Sequence, residues 1–173
     1  MRAERMVATV LLLQARGRVT AAELARVFPS TDLSAATDGT VGVFLEPIAL
    51  YHTRDLFEPG DGIWTAPYQP PEAWSEHHVP IGSGRLVRDG DDVLIVTWAN
   101  GLHLSLRAAH RLAAAGLSCR VFDLRWLAPL PIDEVLSHAR EVGRVLVVDE
   151  TRRSGGVGEG VVAGLVEGGF SGP

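Results

Sequence analysis

The sequence predicts an α/β fold, a three-layer sandwich around a mainly parallel sheet preceded by a short helical segment, and three observations carry that prediction. Short strand-like runs bounded by turn residues recur at 85–88, 93–97, 119–122 and 144–148. Stretches with helical spacing of apolar residues separate the last three of these runs. Those stretches are long enough to cross over a sheet and return the chain in the same direction, which favours parallel pairing through right-handed connections.

Residues 85–88 form a short strand, and Asp89-Gly90-Asp91-Asp92 is the turn that follows. The run 93–97 has no polar alternation, the mark of a strand buried on both faces. Leu102, Leu104, Leu106, Ala109, Leu112 and Ala113 then recur with helical spacing, and Gly116 stops that helix. After the strand at 119–122, Pro131 opens a helix over 132–142. Asp133 and Glu134 sit in its first turn, where the helix dipole favours negative charge. The strand 144–148, a glycine-rich loop and a last helix from about 161 to 167 complete this region.

Upstream the texture changes twice. Residues 1–28 read as helical: Met6, Val10 and Leu13 share a face, and Gly17 stops the first helix. Thr20-Ala21-Ala22-Glu23 is a capping box for a second helix, 21–28, which ends at Pro29. Residues 29–80 are irregular apart from one strand at 41–45, and are rich in proline, glycine, tryptophan and histidine. So long an irregular stretch fits a connection between domains better than a loop within one. Trp64, Tyr68 and Trp74 are expected to pack it down. The chain thus divides into 1–28, 29–80 and 81–173.

The 173 residues are 46% hydrophobic and 21% charged, a globular composition, with a formal net charge of −5. That charge gives no basic field to attract a phosphate backbone, so nucleic acid is not an expected partner. A single cysteine, Cys119, excludes an internal disulfide and a multi-cysteine zinc site. The apolar run 7–13 is far short of the ~20 residues that span a bilayer. It also lacks a following cleavage site of small residues. A cytoplasmic protein with no membrane association is expected.

Open α/β sheets present their functional loops where the strands end. Three such ends stand out: Thr97-Trp98-Ala99-Asn100, Asp123-Leu124-Arg125-Trp126, and Asp149 through Gly156. In the last, Gly155, Gly156, Gly158 and Gly160 precede a helix and resemble a phosphate cradle. The spacing, however, is not G-x-G-x-x-G, and no Walker lysine is present. Close packing of loop and helix explains these glycines better. Asp149 and Glu150 are expected to be neutralised by Arg152 and Arg153, with Glu159 a further partner for the arginines. Six histidines raise the question of a metal. His77 and His78 point opposite ways on an extended chain, and His103 and His110 lie two helical turns apart, so neither pair chelates well. His52, just after the strand at 41–45, is the candidate general acid/base.

The order and spacing of several segments resemble one family. Val43-Phe44-Leu45-Glu46-Pro47 with Leu50-Tyr51 resembles the last strand of the pyrimidine-binding domain of 2-oxoacid dehydrogenase beta subunits. Val79-Pro80-Ile81-Gly82 resembles the start of their transketolase-type C-terminal domain. Asp92 through Trp98, Asp123 through Leu130, Gly143 through Glu150, and Ser154-Gly155-Gly156 follow in the family's order. The likeness covers residues 38–170 and is strongest to the branched-chain and pyruvate types.

The resemblance implies a component of a thiamine-diphosphate-dependent decarboxylating enzyme. In such enzymes the cofactor carries the electron-sink chemistry. Thiamine diphosphate and magnesium would be held mainly by a partner chain or by regions not in this sequence. The C-terminal domain would serve assembly with an alpha subunit, in a homo- or hetero-oligomer, and docking of the acyltransferase core. Asp123, Arg125, Glu150, Arg152, Arg153, Gly155 and Gly156 are the implied interface residues. The chain stops at Pro173, before the family's final strand and helix. Residues 1–28 resemble the first helices of a helix-turn-helix lacking its recognition helix. A truncated or rearranged component, inactive alone, is therefore expected. The alternative is a helix-turn-helix regulator with a degenerate sensing domain.

Overall fold

A computed structural model of the chain describes residues 43, 45, 47–65, 79–152 and 154–173. The helical segment expected at 1–28, most of the strand expected at 41–45, Tyr68, Trp74, the His77-His78 pair and Arg153 lie outside the described residues. The chain divides into two compact units, Met1–His52 with Ala66–Ile81, and Thr53–Thr65 with Gly82–Pro173. In the first, the described part includes a 3-10 turn, Ile48–Leu50, closed by the Tyr51 N–H donating to Ile48 O at 3.1 Å. Leu50 is buried, and His52 just beyond the turn is exposed.

The second unit carries the sheet. Its elements are β1 (Arg85–Arg88), β2 (Val93–Thr97), α1 (Ala99–Ala114), β3 (Cys119–Asp123), α2 (Ile132–Val142), β4 (Val145–Val147) and α3 (Val157–Glu167). The strand order is β1-β3-β2-β4. β2 pairs in parallel with β3, from Val93↔Cys119 to Thr97↔Asp123, and with β4, from Leu94↔Val145 to Val96↔Val147. β1 pairs antiparallel with β3, and its register shifts between Leu86 and Arg88. The sheet is therefore mixed, with the three parallel strands that the apolar runs predict.

Alternation along the strands supplies two cores, because successive side chains leave opposite faces of a sheet. On one face Leu94, Val96 and Phe122 meet Val135 and Ala139 of α2 and Leu165 of α3. On the other, Ile95, Cys119 and Val121 meet Leu106 and Ala109 of α1, together with Leu56. Helices thus cover both faces of the sheet, giving three layers. Each fully buried side chain of this kind contributes about 1.5–3 kcal/mol relative to exposure.

Leu56 reaches the second core from a self-built loop, Thr53–Thr65. The Asp61 carboxylate accepts the backbone N–H groups of Leu56 (3.0 Å), Phe57 (2.7 Å), Glu58 (2.9 Å) and Ile63 (2.9 Å). Asp55 accepts those of Gly60 and Gly62. Six amides that no helix or sheet could satisfy are thereby bonded, so the loop keeps one shape without regular structure. Desolvation works against the charge on Asp61, yet its four amide donors outweigh it and hold the carboxyl well below the usual carboxylate range. α1 then grips the loop through both its histidines. His103 Nε2 lies 3.1 Å from the Asp55 carbonyl oxygen and its ring meets Trp64 edge-on, while His110 stacks on Phe57 at 4.3 Å.

α3 begins four residues before the start the sequence predicts, at Val157 rather than about 161. The glycines Gly158 and Gly160 are therefore inside the helix. The bonds that start the helix so early come from Asp149 and Glu159, whose role is not evident from helical periodicity alone.

Candidate functional site

The carboxyl ends of β2, β3 and β4 form one crest, because the parallel register sets Thr97 level with Asp123 and Val96 level with Val147. Thr97 is fully buried, and its hydroxyl donates to the Val148 carbonyl at 3.2 Å, tying two strand ends together. Gly101, in the first turn of α1, permits this close approach: a Cβ there would stand 2.3 Å from Thr97 Oγ1. One residue before it, Asn100 Nδ2 donates to Glu150 Oε1 at 2.7 Å. That bond links the start of α1 to the loop after β4.

Asp123 ends β3 and is 7% exposed. Burial pushes its carboxyl above the usual range, while Arg125 and Arg85 pull against that shift. Arg125 lies 3.5 Å away through its Nε, and its backbone N–H donates to Asp123 Oδ1 at 3.3 Å. Arg125 has φ of +59°, the left-handed region that side-chain-bearing residues rarely adopt. The crest thus carries a buried carboxylate that faces a guanidinium held in a strained turn.

The glycine loop closes on the protein's own carboxylates. Asp149 accepts the N–H of Gly158 at 2.9 Å, the N–H of Thr151 at 2.9 Å and the Thr151 hydroxyl at 2.9 Å. Glu159 accepts the N–H of Gly155. A Cβ on Gly156 would stand 2.3 Å from Thr151 Oγ1, and one on Gly158 would stand 3.0 Å from Asp149 Oδ2. The loop therefore needs glycine at these positions to admit Asp149 to the start of α3. Desolvation acts to raise the Asp149 carboxyl, but the amide and hydroxyl donors outweigh it and the net shift is downward. A side chain of the protein occupies the helix start that would otherwise suit a phosphate.

Of the residues singled out in the sequence, Asp123 at the end of β3 and Arg125, Glu150, Arg152, Gly155 and Gly156 on the adjoining loops all fall on this crest. His52 belongs to the other compact unit. Among the described residues, the partners of Asp149 are amides and a hydroxyl, and that of Glu150 is Asn100, rather than Arg152; Arg153, the other expected partner, lies outside them. Glu159 likewise serves the backbone of the loop. At Asp149 the backbone donors are fixed by the fold, whereas an exposed arginine must give up side-chain freedom to pair.

Away from the crest, Arg120 is a buried cation that sequence reasoning passes over. Its Nε–H donates to the Gly90 carbonyl at 3.0 Å and lies 3.0 Å from Asp89 Oδ1, and its Nη1 reaches Glu141 and His138 Nδ1. It joins the turn before β2 to α2. Among the described residues no helix is long and apolar enough to cross a membrane.

Residues 82–173 match the model of the transketolase, C-terminal domain, family. The chain belongs to that family. It is 40% identical over 102 residues to 1-deoxy-D-xylulose-5-phosphate synthase of Gloeobacter violaceus, covering 59% of this chain and 16% of that protein. It is 33% identical over 144 residues to the pyruvate dehydrogenase E1 component subunit beta of Bacillus subtilis, covering 79% of this chain and 40% of that protein. Among solved structures it resembles a split-gene transketolase described as an inactive beta4 tetramer. That likeness has a TM-score of 0.53 and 31% identity, over 56% of this chain and 32% of the other. The chain spans less than half the length of each of these relatives.

Proposed function

We propose that the chain is the C-terminal-domain component of a thiamine-diphosphate-dependent 2-oxoacid dehydrogenase of the beta-subunit type. The observation that carries this reading is the extent of the likeness to the Bacillus subtilis pyruvate dehydrogenase subunit. It runs over 144 residues, well beyond the 82–173 of the family domain, and so takes in upstream sequence. The match to the synthase covers 102 residues. The segment Val43 through Tyr51, which resembles the end of a pyrimidine-binding domain, agrees with the longer match.

In this reading the domain serves assembly. Asp123, Arg125, Glu150, Arg152, Arg153, Gly155 and Gly156 meet an alpha subunit or a second beta chain, and a further surface docks the acyltransferase core. Support comes from the gathering of the described members of this set on one crest, and from the tetrameric state named for the split-gene transketolase. Thiamine diphosphate, when bound, supplies the electron sink for decarboxylation. It is held with magnesium mainly by partner chains or by regions outside this sequence. His52, exposed beyond its turn, is the chain's candidate for proton transfer in the assembled enzyme.

Co-expression with a dehydrogenase alpha subunit tests the reading. The chain should co-elute with that subunit, and Arg125→Ala should abolish co-elution while the isolated chain still unfolds cooperatively. Co-elution that survives Arg125→Ala, with altered preference among keto acids, would contradict it.

A further inference from the structure

We propose that Asp123 is a proton-operated latch on the loop 124–131: ionised, its carboxylate holds the Arg125 turn, and protonated, it releases that turn. The inference concerns the conformation of the crest and stands whether or not the crest binds another subunit.

The geometry is that of a strained turn whose strained residue faces one buried carboxyl. Arg125 sits at φ +59°, a region that a residue with a Cβ rarely adopts. The turn is tight, with the Trp126 N–H directed at the Leu124 carbonyl. What faces the strained residue is Asp123, through Oδ1 to the backbone N–H at 3.3 Å and through Oδ2 to Nε at 3.5 Å. Both separations lie at the long end of hydrogen bonding, so attraction here depends on the full negative charge. Protonation turns one carboxylate oxygen into an O–H donor, which a donor-only guanidinium cannot meet, and leaves the other as a weaker, neutral acceptor. Adding the proton therefore removes the charge-driven attraction that opposes the strain.

The surroundings make the proton available. Asp123 is almost wholly buried at the end of β3, and desolvation favours its neutral form. The charges acting against that are Arg125 from the loop itself and Arg85 from β1, which stands directly opposite Asp123 in the antiparallel register. On its other side the register partner from β2 is Thr97, which does not titrate in this range. α1 and the Thr53–Thr65 loop cover the same face of the sheet, and there His103 is engaged with the Asp55 carbonyl and Trp64. Two exposed arginines thus compete with burial for one proton.

Trp126 reports the latch, since it is the next residue in the turn. Tryptophan emission of the full chain is followed from about pH 8 to about pH 4, a span that brackets a raised carboxyl. The difference in emission between the wild type and Trp126→Phe should show one transition at constant far-ultraviolet dichroism, and Asp123→Asn should abolish it. Arg85→Ala, an exposed change outside the turn, should displace the midpoint to higher pH, because Asp123 loses a charge that favours its ionised form. Should Asp123→Asn fail to fold, the Arg85→Ala midpoint decides alone. No transition in that difference, one that persists in a folded Asp123→Asn variant, or a midpoint unmoved by Arg85→Ala would overturn the proposal.

Discussion

The Asp149 carboxylate accepts the backbone N–H of Gly158 at 2.9 Å, and so caps a helix from the end of the preceding strand. This one bond explains why a glycine-rich loop follows β4. It also yields a pH dependence. The Asp149 carboxyl is lowered in the folded chain, so its contribution is present above the unfolded value of about 3.9 and is lost as pH falls through the folded value. Asp149→Ala should cost about 1 kcal/mol in urea unfolding at neutral pH, the usual effect of losing a cap. The gap between variant and wild type should close below about pH 4. A gap constant with pH would contradict the assignment.

Gly156→Ala tests the same corner from the backbone side. A Cβ there meets Thr151 Oγ1 at 2.3 Å and Asp149 Oδ2 at 3.0 Å, so the side chains that cap α3 must shift. A loss of about 1–3 kcal/mol is expected, in the range of overpacking changes. Combined with Asp149→Ala, the effect should be clearly less than additive, because the two changes disrupt one contact. Additive losses in a double-mutant cycle would separate them.

Arg120→Met should destabilise the domain more than Glu141→Ala does. Arg120 is 7% exposed, and its guanidinium serves the Gly90 carbonyl as well as Glu141 and Asp89, whereas the Glu141 side chain is half exposed. Removing the cation strands a buried carbonyl acceptor, for a loss of about 2–3 kcal/mol, while Glu141 is free to find water. Equal losses in the two variants would mean that the ion pair alone sets the effect.

Ser105→Ala should be neutral or stabilising, by up to about 1 kcal/mol. The Ser105 hydroxyl is buried on α1 and has no hydrogen-bond partner among the described residues, an arrangement that disfavours folding. A higher melting temperature would agree, and a loss of more than about 1 kcal/mol would require a partner for that oxygen.

The loop Thr53–Thr65 should behave as part of the C-terminal unit. Leu56→Ala removes a side chain that is 6% exposed in the core under α1, and should cost about 2–4 kcal/mol in the unfolding of that unit. Protease cleavage within the loop should accelerate in the variant. Unfolding of the sheet unaffected by the substitution would contradict the packing.

Much of the fold is legible in the sequence because apolar runs and helical spacing are local signals. Val93–Thr97 reads as a doubly buried strand and is one, and Ile132–Val142 begins where Pro131, Asp133 and Glu134 announce it. What escapes is chemistry between residues far apart in the chain. His103 and His110 invite thoughts of a metal, yet each meets a residue of a loop some fifty positions upstream. Asp61 reads as one more turn residue, although its carboxylate organises four amides at once. The crest is visible in the sequence through its strand ends. Its pairings are not, because Asp149 takes amides of Thr151 and Gly158, and Glu150 takes Asn100 some fifty positions upstream.

If this chain works as one part of a larger thiamine-dependent enzyme, it cannot hold the cofactor alone. Calorimetric titration of thiamine diphosphate with magnesium tests this most directly, first into the chain alone and then into the chain mixed with a dehydrogenase alpha subunit and an upstream beta-subunit region. Saturable binding in the mixture, together with none to the isolated chain, is the predicted result. Stoichiometric binding to the chain by itself would contradict the account.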